Sequence, residues 1–293
     1  MMKHKILALL SGLILFNPGI GAQSVEEIGL LIRGDDIGST HAANLGCIRS
    51  YREGIVRSVE VMAPCAWFPE AVELLRENPG LDVGVHITLT SEWERIKWRP
   101  ISHAPSLSDE DGYFYPMIWA NENFREDRTL RGSDWTLQEI EAEMRAQIEL
   151  AMKHIPQVTH LSCHMGCSSW NEEVGNLYNR LAEEYGLQIR TGDYGVLRFP
   201  LEEKGSTREE RIRNFIRALE SLEAGKTYLY IEHPAILSEE MSAVGHVGYE
   251  GVNEDRHLVT EVFTSEEIKQ VIRERNIRLI SYAELQILNH ETE

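Results

Sequence analysis

The segment Leu30-Leu31-Ile32-Arg33-Gly34-Asp35-Asp36-Ile37-Gly38 runs an apolar strand straight into two adjacent carboxylates and a glycine turn. Acids at the end of a buried strand are costly unless a cation meets them, and a divalent metal is the usual partner. Asp and Gly are also ordinary turn residues, so taken alone the segment reads as a turn or helix cap. Three further apolar segments carry histidine where they end. His86 interrupts Val83–Leu89, His160 and His164 lie in Val158–His164, and His233 follows Tyr228–Glu232. Strand alternation places His160, Ser162 and His164 on one face. A single histidine is more often a packed core or surface residue than a ligand. Four polar strand endings in one fold argue for a site, because parallel β/α folds collect reactive groups where strands end. One carboxylate with two imidazoles makes a facial three-ligand set that leaves positions for water and substrate. Such a set suits hydrolysis of an amide or ester, with the ion polarising the carbonyl and acidifying a water. A neighbouring carboxylate could take the proton from that water, and a further histidine could protonate the leaving group. No Ser or Cys nucleophile is required.

The elements that must position these groups alternate along the chain. Strand-like segments fall at Ile28–Arg33, Ile55–Met62, Leu81–Leu89, Val158–Cys163, Gln188–Thr191, Tyr228–Ile231 and Ile277–Ser281. A helix is expected over Pro69–Asn78, with Gly80 as its stop signal. Capping-box spacings at Thr136/Glu139, Ser206/Glu209 and Thr264/Glu267 mark three more helix starts. In the first of these helices Leu137, Ile140, Met144, Ile148 and Ala151 repeat at helical spacing and should face a sheet. Seven strands alternating with helices predict a parallel α/β architecture, a distorted or incomplete (β/α) barrel forming a single domain. No Gly-rich phosphate loop supports a nucleotide-binding sheet. The long irregular stretch Ser91–Asp134 carries Trp93, Trp98, Trp119 and His103, as a lid or binding loop would.

Met1 to Ala22 differs in kind. Lys3 and Lys5 precede the apolar run Ile6–Phe16, and Gly21-Ala22 supplies small residues before Gln23. The pattern predicts a secretory signal peptide over residues 1–22, a mature domain over 23–293 and a secreted or periplasmic location. No other segment is long and apolar enough to cross a bilayer, so no membrane association is expected once the signal is removed. The net charge of −18 disfavours nucleic acid and anionic surfaces, and points to a neutral or cationic substrate. Four cysteines (Cys47, Cys65, Cys163, Cys167) allow three disulfide pairings, among which the sequence does not choose. The oligomeric state is open, a homodimer among the options.

Several motifs, in order, resemble the YdjC-like (chito-oligosaccharide deacetylase) family. Arg33-Gly34-Asp35-Asp36-Ile37-Gly38 with Asn44 resembles its Ala-Asp-Asp-Phe-Gly…Asn opening, and Gly84-Val85-His86-Ile87-Thr88-Leu89-Thr90 its Gly-x-His-x-x-Leu-Thr strand. Arg99-Pro100, Pro105-Ser106-Leu107 and Asp111-Gly112-Tyr113-Phe114 are similar to its central loop. Thr159-His160-Leu161-Ser162-Cys163-His164 resembles its Thr-His-x-Asp-x-His segment, His233-Pro234 its late His-Pro, and Ile280-Ser281-Tyr282 its closing strand. The resemblance implies a distorted β/α barrel that removes acetyl groups from N-acetylated amino sugars with one divalent ion. Carried over position by position, Asp36, His86 and His164 would hold the metal, Asp35 would be general base and His233 general acid. Adjacent carboxylates can exchange the first two of these roles. Two imidazoles lean toward Zn, whereas the resemblance permits Mg. Tryptophans or tyrosines of the long loop would stack on an acetylated carbohydrate substrate. Ser162 and Met165-Gly166 depart from the family pattern, a serine being able to hydrogen-bond but not to carry charge. Arg256 reads as the partner of a neighbouring acid, and strand alternation turns Cys163 away from His164. Two alternatives stay open: a non-catalytic glycan-binding protein on the same scaffold, and another metal hydrolase such as a phosphoesterase or amidohydrolase.

Overall fold

A computed structural model describes residues 27–285, so the predicted signal segment lies outside the described residues. Among the described residues there are seven strands: β1 (Ile28–Ile37), β2 (Ser58–Val61), β3 (Asp82–Ile87), β4 (Val158–Cys163), β5 (Leu197–Arg198), β6 (Thr227–Glu232) and β7 (Ile277–Ile280). Seven helices accompany them: α1 (His41–Arg52), α2 (Phe68–Arg76), α3 (Leu137–His154), α4 (Glu172–Glu184), α5 (Arg208–Glu220), α6 (Val252–Phe263) and α7 (Glu266–Glu274). All strand pairs are parallel, in the order β4-β3-β2-β1-β6-β5. β7 pairs with the first half of β1 and β2 with its second half, so the two share the edge opposite β6. The result is the expected incomplete barrel: a half-barrel of parallel strands wrapped by helices, in one domain.

Burial explains the continuous apolar runs. Leu30, Leu31, Ile32, Val59, Val61, Val83, Val85 and Ile87 alternate across the sheet yet all are buried, as in parallel sheets covered on both faces. Ile140, Met144, Ile148 and Ala151 of α3 are fully buried, and the helix lies against β3. Two of the expected caps fall one residue later than the sequence spacing suggests. Thr207 pairs with Glu210 in a reciprocal capping box at α5, and Ser265 caps α7 through Ile268. The expected strand at Gln188–Thr191 is absent. Gln188 makes only an antiparallel bridge to His160, and the sixth position in the sheet is taken by the two-residue β5. Among the described residues no helix is long and apolar enough to cross a membrane.

The helix α1 packs so closely on the segment after β6 that Gly46 admits no side chain, since a Cβ there would overlap the Ala235 backbone. Gly→Ala within a helix ordinarily stabilises by about 1 kcal/mol. Here we expect the opposite sign. Gly46→Ala should lower thermal stability by roughly 1–3 kcal/mol, the range of overpacking, which denaturant titration measures directly.

Candidate metal and catalytic centre

β1 delivers Asp35 and Asp36 to the rim, and Asp36, next to last in the strand, has a left-handed backbone, φ 71°. Asp tolerates this conformation better than most residues. The turn is tied down by Ser39 Oγ donating to the Asp36 carbonyl at 2.7 Å and Gly38 N donating to Asn44 Oδ1 at 2.6 Å. β3 brings His86 and the end of β4 brings His164. One ligand atom from each of Asp36, His86 and His164 lies within 4.8 Å of the other two. Asp36 Oδ1 stands 3.6 Å from His86 Nε2 and 3.4 Å from His164 Nδ1. It is buried with no hydrogen-bond partner. Ligand atoms ~2.1 Å from a shared ion stand roughly 3–4 Å apart, so these three residues fit a divalent metal.

The other nitrogen of each histidine is also engaged, as ligating histidines usually show. His164 Nε2 meets Glu92 Oε2 at 3.0 Å, and His86 Nδ1 meets Ser162 Oγ at 2.7 Å. Their acidities diverge accordingly. Burial pushes His86 down to about 4, only partly offset by Asp35. Burial acts on His164 in the same direction, but Glu92 and Asp36 outweigh it and raise His164 to about 10.

Each acid at the rim has a cation. Arg33 chelates Asp35 through Nε and Nη2 at 2.7 and 2.8 Å, leaving Asp35 Oδ2 3.8 Å from His86 Nε2. Arg256 donates to Asp36 Oδ2 at 2.8 Å and rests over the Trp93 ring. Arg256 does pair with an acid, as read from the sequence, and that acid is the candidate ligand itself. Burial would raise the Asp36 carboxyl, yet Arg256 and then His233 hold it well below its usual range. The register sets Glu232 of β6 beside Gly34 of β1, so His233, the next residue, follows at the rim beside Asp35, with its side chain 38% exposed.

Three supporting residues, Glu60, Arg33 and Glu92, escape the sequence reading. Glu60 is buried on β2 and binds His160 and Ser162; a lone acid inside Ser-Val-Glu-Val-Met was its only signal. Arg33 stands two residues before Asp35 on the same strand face, a spacing that could have revealed the pair. Glu92 had no local signal, and His160 is committed to Glu60 and to a stacked ring contact with Tyr282 at 3.8 Å. Of the aromatic residues in the long loop, Trp93 and Trp98 are buried, and Trp119 is 40% exposed beside the Gly166 turn that follows His164. All four cysteines are free thiols, and Cys163 turns toward Cys167 rather than into the triad.

A family described as YdjC-like protein matches residues 29–274. A carbohydrate deacetylase of Brevibacillus brevis is 28% identical over 278 residues, covering 87% of this chain and 99% of its own. One from Listeria welshimeri is 27% identical over 265 residues, with the same two coverages. A crystal structure from Enterococcus faecalis, named for cellobiose-phosphate cleavage, superposes with a TM-score of 0.68 at 28% identity, covering 88% of this chain and 99% of that one.

The turn of α6 that presents Arg256 is anchored by Asp255, which accepts from Arg211 at 2.5 Å, Tyr249 at 2.6 Å and Lys204 at 3.2 Å. Burial opposes ionisation, but these donors pull Asp255 down to about 2. A depressed carboxyl contributes stability that is complete above the ordinary Asp value of about 3.9 and is lost as pH falls through the folded value. Asp255→Asn should therefore melt below wild type at pH 7, with the gap closing between pH ~4 and ~2. Thermal denaturation across that range checks it.

Proposed function

The chain belongs to the YdjC-like family, and from that premise we propose that it is a metal-dependent carbohydrate deacetylase, hydrolysing the N-acetyl amide of an amino sugar or oligosaccharide. The observation that carries this reading is the convergence of Asp36, His86 and His164 on one point, with Asp36 Oδ1 buried and unpartnered. A divalent ion held by these three would supply Lewis-acid polarisation of the acetyl carbonyl and acidify the attacking water. The chain's own groups supply the rest. Arg33 fixes both oxygens of Asp35 beside the cluster, which suits a general base that must meet water in one orientation. His233, half open to solvent, protonates the departing amine. Arg256 spends its charge on Asp36 and so orients that ligand rather than the substrate. Trp119, exposed beside the His164 turn, offers an aromatic face for a sugar ring. The buried Trp93 and Trp98 shape the wall instead.

The net charge of −18 favours a neutral glycan over a phosphorylated one and eases release of a cationic amine product. Acetate release from a panel of N-acetylated oligosaccharides tests the proposal, and chelation should abolish it, with added Zn or Mg restoring it. Asp35→Asn should lower kcat by about 10²–10⁴-fold while metal content, read by elemental analysis, stays near wild type. Asp36→Ala should lose both. Metal-loaded wild type that releases no acetate from any acetylated glycan would leave a sugar-binding role on this scaffold in its place.

A further inference from the structure

Glu60 is fully buried on β2, two strands away from β4, yet its carboxylate ends on β4 side chains. The parallel register sets Glu60 opposite Gly84, and Gly84 opposite His160. A Cβ at Gly84 would overlap the Glu60 carboxylate and come within 2.5 Å of His160 Nε2. The glycine therefore leaves the space through which Glu60 crosses β3. Beyond it, Oε1 meets His160 Nε2 at 2.8 Å and Oε2 meets the Ser162 hydroxyl. Ser162 Oγ in turn lies 2.7 Å from His86 Nδ1.

Resting on the reading of His86 as a metal ligand, we propose that Glu60 is a positioning residue for His86, acting through the Ser162 hydroxyl to fix the ring tautomer. A carboxylate only accepts, so the single Ser162 proton is directed to Glu60. The serine oxygen then faces His86 as an acceptor, and Nδ1 must carry the hydrogen. Nε2 is left with a free lone pair, and this nitrogen is the one 3.6 Å from Asp36 Oδ1 and 3.8 Å from Asp35 Oδ2. Without Glu60 the same hydroxyl could donate to Nδ1 and favour hydrogen on Nε2, a form that cannot ligate. Arg33 Nε, 3.7 Å from Glu60 Oε1, joins this relay to the guanidinium that holds Asp35. Ser162, where the family resemblance led to an Asp, thus passes on the orienting influence of a carboxylate that β2 supplies.

The test uses the full chain with ¹⁵N-labelled histidine, observed by NMR without metal, and calorimetric titration with Zn²⁺ alone. Wild type should show His86 protonated at Nδ1. Ser162→Ala should release that tautomer and weaken Zn²⁺ binding by about 10–100-fold, whereas Ser162→Thr should preserve both. Glu60→Gln should weaken Zn²⁺ binding when Ser162 is present and cost nothing further in the Ser162→Ala background. Hydrogen on Nε2 in wild type, Ser162→Ala within about twofold of wild type, or equal Glu60→Gln losses in both backgrounds would overturn the proposal. If wild type holds the Nδ1–H tautomer, loses it in Ser162→Ala and binds no divalent ion, the metal reading fails while the Glu60–Ser162–His86 relay stands.

Discussion

Ionised carboxylates at the end of a buried strand dictate the rest of this rim. Removing a carboxylate from water costs several kcal/mol even after relaxation, unless charge and hydrogen bonds replace the lost hydration. Asp35, Asp36, Glu60 and Glu92 are all buried within one cluster. Each is answered separately: Asp35 by Arg33, Asp36 by Arg256, Glu60 by His160 with Arg33 nearby, and Glu92 by His164. The pairing stops one atom short. Asp36 Oδ1 is the carboxylate oxygen left over, and it faces two imidazoles. The scaffold gives each of these acids a partner yet leaves this one buried oxygen of Asp36 without a hydrogen bond, where a cation would fit.

The fold grows out of the same need. Parallel strands with helices on their faces bring chain-distant strand ends to one rim, so Asp36, His86 and His164 meet although β1, β3 and β4 are separated by long connections. Strand order matters as much as strand presence. With β2 and β3 between β1 and β4, Glu60 can reach His160 and Ser162 of β4 from the side, across a glycine. The loop after β3 contributes Glu92 and buries Trp98, whose ring lies edge-on to His164 at 6.2 Å. A stretch that looks irregular in sequence thus closes the wall beside a candidate ligand.

The candidate triad was legible because its signals are local: an apolar strand that ends in Asp-Asp, and histidines set inside apolar runs. Its supports were not, because they depend on register between strands. Nothing near Glu60 in sequence says that it will lie beside Gly84 and reach residues a hundred positions away. The misplaced caps have a simpler origin. Ser206-Thr207 and Thr264-Ser265 are each two adjacent capping residues: Glu209 and Glu210 satisfy either phase of the first pair, whereas in the second only Thr264 has an acid three positions on, yet Ser265 makes the cap to Ile268. Gln188–Thr191 has the composition of a strand but borders β4 in the antiparallel sense. β5 is only two residues long, too short for any periodicity to register.

The Arg256–Asp36 pair spans 220 positions, and this separation bears on how the molecule comes into being. During synthesis β1 emerges early and must wait for α6 before its buried acid meets a guanidinium. An N-terminal fragment that closed around β1, β2 and β3 would enclose a bare charge, so the early strands have reason to stay wet until the last third of the polypeptide arrives. The electrostatics of the rim therefore tie an early strand to a late helix, so that the charge on one has its answer only when the other has docked.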